Sequence, residues 1–194
     1  MVDKSAKERI KHRKENAVDP EEFLLDIGAI EPTDGEESLK FTANFESRIE
    51  RNIETYKDDG VGTAEIQRIF GVDDEDVEEM DRDWPSFKII HTIRNWPSEG
   101  SVVFDAATDE SMREVTDDWN EVPPRQRYRI LQSLRSFQDE CFFCSGEVVF
   151  SNNPVESCCS DRNVITFHCE GCDSRFLEFS AEPAGDTVAA RMNP

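Results

Sequence analysis

Four of the six cysteines constrain this chain more than any other feature. Cys141-Phe-Phe-Cys144 and Cys169-Glu-Gly-Cys172 are two Cys-x-x-Cys pairs separated by 24 residues. A borderline-soft divalent metal takes four thiolates at tetrahedral angles. One Cys-x-x-Cys turn delivers two of them from a tight knuckle whose backbone N–H groups point at the sulfurs. The spacing therefore predicts a structural Zn2+ held by Cys141, Cys144, Cys169 and Cys172. Four thiolates leave no coordination position for water, and no His-x-Glu motif stands nearby, so the metal is expected to staple the fold rather than to catalyse. A segment of about 40 residues cannot bury a sufficient core alone, and metal binding on the order of 10 kcal/mol supplies the deficit.

Around the pairs the sequence is strand-like. Residues 147–151, 163–168 and 174–179 read as three strands, and the Asn-Asn-Pro inside 152–162 reads as the turn of a long hairpin loop. This order resembles the zinc ribbons of transcription factors, ribosomal proteins and transposase-associated modules. The resemblance implies a three-stranded antiparallel sheet over 139–180, and contacts to DNA, RNA or protein without choosing among them. Cys158 and Cys159 fall in the hairpin loop, where they read as two small thiols, as a substitute ligand, or as a redox or second metal pair with His168. Consecutive apolar residues (Val148, Val149 and Phe150; Val164 and Ile165; Phe176 and Leu177) supply both faces of the sheet, so one face is expected to bury against the rest of the chain or a partner.

Upstream the pattern is mostly helical, and residues 17–138 read as one helical domain, giving an α+β chain overall. Asp19-Pro20 is a helix start; Phe45, Ile49, Ile53 and Tyr56 recur at helical spacing; Pro123-Pro124 opens a helix carrying Tyr128, Leu131, Leu134 and Phe137. Residues 63–83 resemble a helix-turn-helix, with Gly71 at the turn and Val77 and Met80 on a second helix whose outward residues are nearly all acidic. Pro85 reads as another helix start, with Phe87, Ile90 and Ile93 inward and His91 beside that face. Residues 101–105 read either as a buried strand or as the apolar lead into a helix capped at Thr108 or Asp109.

The net charge is -21, from 43 acids against 22 bases, and Arg outnumbers Lys by 15 to 7. The acids are spread along the chain rather than gathered in a tail. That composition resembles cytoplasmic proteins of haloarchaea, where surface acidity maintains solubility and about 1 M salt shortens the Debye length to roughly 3 Å. No apolar run reaches membrane-spanning length and the N-terminus has no apolar signal region, so a cytoplasmic, non-membrane protein is expected. Free cysteines in that compartment read as ligands or thiols rather than disulfides. Residues 1–16 form a basic tail, with six Lys/Arg against two acids up to Lys14, and 181–194 read as a mobile tail.

Arg125, Arg127, Arg129 and Arg135 form a second basic island on a stretch without acids between Val122 and Gln138. They are candidate contacts to nucleic acid or to an acidic partner. No nucleophile–base pair, phosphate loop or carboxylate pair stands out, so an enzyme is not expected. Two readings follow. One is a zinc-binding, transcription-related regulator that contacts nucleic acid. The other is a protein–protein interaction module that uses the apolar face of the ribbon, with Phe142 and Phe143 as the positions to test. The sequence carries no signature of oligomeric state.

Overall fold

The computed structural model describes residues 16–33, 38–157 and 160–181. The expected basic tail (except Asn16), the tail beyond Ala181, and Cys158 and Cys159 lie outside the described residues. Helix α1 (Pro20–Asp26) begins where Asp19 accepts hydrogen bonds from the N–H groups of Glu21 and Glu22, both at 3.1 Å, with Pro20 in the first turn. A short antiparallel pair, β1 (Ile30–Pro32) and β2 (Leu39–Phe41), leads to α2 (Ala43–Asp59), capped by Thr42. Its inward residues Phe45, Ile49 and Ile53 are buried against α4 (Glu99–Val115).

Helix α4 is the centre of the molecule. Every residue from Gly100 to Asp109 is buried, and Ser111 and Met112 continue the burial. A helix enclosed on all sides loses its amphipathic period, which is why Val102, Val103 and Phe104 also suit a buried strand. The helix in fact starts at Ser98, whose side chain accepts from Ser101 N–H, so Thr108 and Asp109 are interior positions rather than caps. Between α2 and α4 run α3 (Thr63–Phe70) and a three-stranded antiparallel sheet in the order β3 (Val77–Glu79), β4 (Ser86–Ile89), β5 (Thr92–Asn95).

This sheet corrects two expectations. The second helix of the helix-turn-helix reading is absent: after Gly71, in the left-handed region at φ 60°, only one 3-10 turn forms at Asp74–Asp76, and Val77 enters the sheet. Four consecutive acids repel along a helix, whereas in β3 Glu78 lies across from Lys88 and pairs with it at 2.9 Å. The helix expected from Pro85 is the β4–β5 hairpin. Phe87 and Ile89 are buried while Lys88 is exposed, a period of two that the i, i+3 spacing of Phe87, Ile90 and Ile93 conceals. His91 sits exposed in the hairpin turn, not beside a core face.

Helix α5 (Pro124–Leu134) and a 3-10 turn (Arg135–Phe137) close the helical part. Then come β6 (Val148–Ser157), β7 (Ser160–Cys169) and β8 (Arg175–Ala181), an antiparallel sheet in that order. Pairing of β6 with β7 runs from Val148 with Cys169 to Ser157 with Ser160, so the stretch expected to be a long loop is ladder. Asn153 and Pro154 at the edge of a sheet are compatible with strand, because an edge leaves the missing N–H of proline without a ladder bond to make. Among the described residues no helix is long and apolar enough to cross a membrane.

Candidate metal centre

The two Cys-x-x-Cys turns repeat the same local geometry. In the first, Phe143 N–H points at Cys141 Sγ at 3.4 Å, and Ser145 N–H donates to the Cys141 carbonyl at 2.8 Å. In the second, Gly171 N–H points at Cys169 Sγ at 3.2 Å, and Asp173 N–H donates to the Cys169 carbonyl at 3.0 Å. Ser145 (φ 56°) and Asp173 (φ 60°), the residues just after each second cysteine, both occupy the left-handed region. Each turn therefore curls its backbone around its own sulfur pair.

Strands β6 and β7 bring the turns face to face. Glu170 N–H donates to the Glu147 carbonyl at 3.0 Å and ties one to the other. Glycine is required at the contact: a Cβ on Gly146 would stand 3.0 Å from Cys169 Sγ, and one on Gly171 would stand 3.1 Å from Cys144 Sγ. The four Sγ atoms of Cys141, Cys144, Cys169 and Cys172 all lie within 4.8 Å of one another, with Cys141 to Cys172 at 3.7 Å and Cys144 to Cys169 at 3.4 Å. A metal with bonds to sulfur of about 2.3 Å has a tetrahedral sulfur–sulfur edge of about 3.8 Å, so this donor set fits one ion.

Cys141 and Cys169 are buried, while Cys144 and Cys172 face solvent. Burial pushes the Cys141 thiol up, whereas at Cys172 burial is opposed by hydrogen bonds with Ser174, Cys144 and Cys141, which together bring it down to about 7. A cation among the sulfurs would favour the thiolate at all four. Among the described residues no histidine or carboxylate belongs to the cluster.

The cysteine-bearing end of the sheet is packed onto the helical part. Phe176 lies against Phe143 (ring centroids 6.2 Å apart) and against Phe104 of α4 (6.5 Å), and Phe104 also meets Phe142 (5.8 Å). Phe142 and Phe143, both partly buried, thus pack against the helical core. Polar groups complete the joint: Ser98 Oγ donates to the Arg175 carbonyl at 2.6 Å, and Arg135 Nη1 donates to the Phe176 carbonyl at 3.1 Å.

That contact changes the meaning of the arginine island. Arg135 is 1% exposed and holds Asp105 of α4 in a two-point ion pair, and Trp96 Nε1 donates to the same carboxylate at 2.8 Å. Burial alone would lower the Arg135 pKa, but the Asp105 charge raises it. Arg127 is also buried, beneath Gly71, where burial lowers its pKa. Both guanidinium groups are enclosed in the fold. Arg125 and Arg129 remain exposed, one turn apart on α5. Asp105 escaped the sequence reading because one acid inside Val-Val-Phe-Asp-Ala-Ala is equally compatible with an exposed strand position. The run of small and apolar residues on both sides was the available sign that it is buried.

Fold and site together define an α+β protein whose C-terminal sheet carries a zinc-ribbon-like cluster of four cysteines able to hold a metal ion. The chain belongs to the family of unknown function DUF8054: it matches that family's central domain over residues 19–136 and its C-terminal domain over residues 139–179. No curated protein and no solved structure matches it.

Proposed function

We propose that this chain is a non-enzymatic protein-interaction module in which a structural Zn2+ holds the ribbon in a presentable form. The observation that carries the reading is the contrast between the aromatic residues of the ribbon. Phe176 is fully buried toward the helical part, whereas Phe150 is 61% and Phe179 50% exposed. Phe150 lies across from Phe167, and Phe179 across from Ile165, so they extend one apolar surface over three strands. Large aromatic residues left open on a rigid sheet are typical anchors of protein interfaces. The spread acidity and the excess of Arg over Lys favour a high-salt cytoplasm as its setting, where contact chemistry outweighs long-range steering.

Nucleic-acid association is the second reading, favoured by Arg125 and Arg129 on a helix without acids and weakened by burial of the other two arginines. One experiment weighs both. The full-length protein is isolated from native high-salt lysate and scored for metal, bound protein and bound nucleic acid. The expected result is one zinc per chain, lost when any of Cys141, Cys144, Cys169 or Cys172 is changed to Ser, together with a bound protein released by Phe150→Ser and Phe179→Ser. Nucleic acid released by Arg125→Glu and Arg129→Glu would establish the second reading instead. A metal-free folded chain would overturn the structural role of zinc.

A further inference from the structure

The fold treats its three tryptophans differently. Trp96 and Trp119 are buried, and each indole N–H donates to a buried aspartate, Asp105 or Asp109, at 2.8 Å. Trp84 is 46% exposed, and its indole N–H has no partner among the described residues. It forms one wall of a cleft of about 410 Å³, with Asn95, Trp96 and Pro97 on the same side and Arg175 and Glu178 of the ribbon opposite. The cleft is built rather than incidental. Ser86 Oγ, on a buried residue, donates to Asn95 Oδ1 at 2.9 Å, and Ser98 Oγ holds the Arg175 carbonyl, so both walls are fixed to one frame.

Both walls also end in a strand with one side left without a strand partner among the described residues: β5 pairs only with β4, and β8 only with β7, the Arg175 and Phe176 carbonyls of β8 being taken by Ser98 and Arg135, so that the open stretch of β8 starts at Leu177. An open strand edge offers unpaired backbone groups to an incoming extended chain. The charge of the neighbourhood selects the sign of that chain. Glu79, Asp81, Asp83 and Glu99 are exposed on the tryptophan side and Glu178 on the ribbon side, against Arg82 and Arg175. Burial and, after it, the Glu79 charge hold the Glu99 carboxyl above the usual range. Arg175 pairs with Glu178 at 3.4 Å, with side chains 59% and 43% exposed. An exposed pair of that kind opens readily to a competing cation.

We propose that this cleft binds an extended, positively charged peptide segment of a partner protein, which pairs along the open edge of β8 and lays a lysine or arginine side chain over the Trp84 ring toward Glu178. A cation over an indole face is attracted by the ring quadrupole, and tryptophan is the best ring for it. A polyanion would meet like charge. The inference rests on the interaction-module reading for its class of partner, but it uses a face distinct from Phe150 and Phe179.

The test uses isotope-labelled, zinc-loaded, full-length protein at the lowest salt at which it stays folded. Two synthetic peptides of equal length are titrated, acetyl-Lys-Val-Arg-Val-Lys-amide and acetyl-Glu-Val-Asp-Val-Glu-amide, together with a single-stranded oligonucleotide. The cationic peptide is expected to shift the Trp84 indole N–H, the Asn95 side-chain amide and the backbone amides of 177–179 saturably. Binding is expected to weaken about tenfold or more in Trp84→Ala and Glu178→Lys, the equivalent of about 1.4 kcal/mol. The Trp119 indole signal, from a buried residue outside the cleft, unmoved, reports that the variants are folded. No shift with the cationic peptide, equal binding of the acidic one, tighter binding of the oligonucleotide, or shifts confined to Phe150 and Phe167 would each overturn the proposal. Failure here alongside partner release by Phe150→Ser would remove the cleft and leave the broader reading standing.

Discussion

Asp105 has no exposed surface, yet three groups from three different elements converge on it: Trp96 after β5, Arg135 after α5 and, through Arg135, the Phe176 carbonyl of β8. A buried carboxylate persists in the ionised form only when paired and hydrogen-bonded, and removing one partner leaves the other charge uncompensated. Arg135→Met is therefore expected to lower the free energy of unfolding in denaturant by about 3–5 kcal/mol. Asp105→Leu combined with Arg135→Met should restore part of that loss, because no lone charge then remains. Losses that simply add in the double variant would show that the pair is not the reason for them. Asp109 repeats the arrangement one turn later, accepting from Trp119 Nε1 and pairing with Arg113 at 2.8 Å.

At the scale of elements, the β4–β5 hairpin shows where sequence patterns mislead. Its two-residue turn places Ile90 at φ 56°, a conformation that glycine adopts freely and a β-branched residue does not. Neither Asn-Gly nor Asp-Gly marks the turn, so the usual hairpin signal is missing, and the helical spacing of Phe87, Ile90 and Ile93 fills the gap. The strain predicts a measurable gain. Ile90→Gly relieves about 1–3 kcal/mol of backbone strain against about 0.5–1 kcal/mol of added chain entropy, and Ile90 is 47% exposed, so little packing is lost. A higher midpoint of thermal unfolding is expected; a lower one would mean that Ile90 makes contacts worth more than the strain. The elements that were legible carried two agreeing signals. For α1 these are Asp19-Pro20 and the stripe behind it; for α2, Thr42 and the run Phe45, Ile49, Ile53; for α5, Pro124 and Tyr128, Leu131, Leu134.

At the scale of the whole molecule, the ribbon and the helical part share aromatic contacts and the Arg135 hydrogen bond, so they should not respond independently. With zinc bound as proposed, its removal by a chelator is expected to release hydrogen-exchange protection first in β6, β7 and β8, and then around Phe104 and Arg135, which Phe176 of the ribbon contacts. Unchanged exchange in α4 and the 3-10 turn Arg135–Phe137 after complete metal removal would show that the joint is passive. The same coupling divides the arginine island into two enclosed and two exposed residues. From the chain alone, four arginines on an acid-free helix look like one surface, but the docked ribbon and the α3–β3 turn enclose two of them.

The four-cysteine cluster, the three-strand order of the ribbon and the principal helices were decided by local chemistry: ligand spacing, caps and the period of apolar residues act within a few residues of one another. What only the tertiary structure decided lies between elements. Burial of α4 on all sides, the pairing of β3 with β4, the enclosure of Arg127 and Arg135, and the meeting of Trp84 with Arg175 and Glu178 all join residues far apart in the chain. Whether a charged or aromatic side chain is a core tie or a binding surface depends on what packs over it, and that covering is supplied by segments whose positions no local pattern encodes.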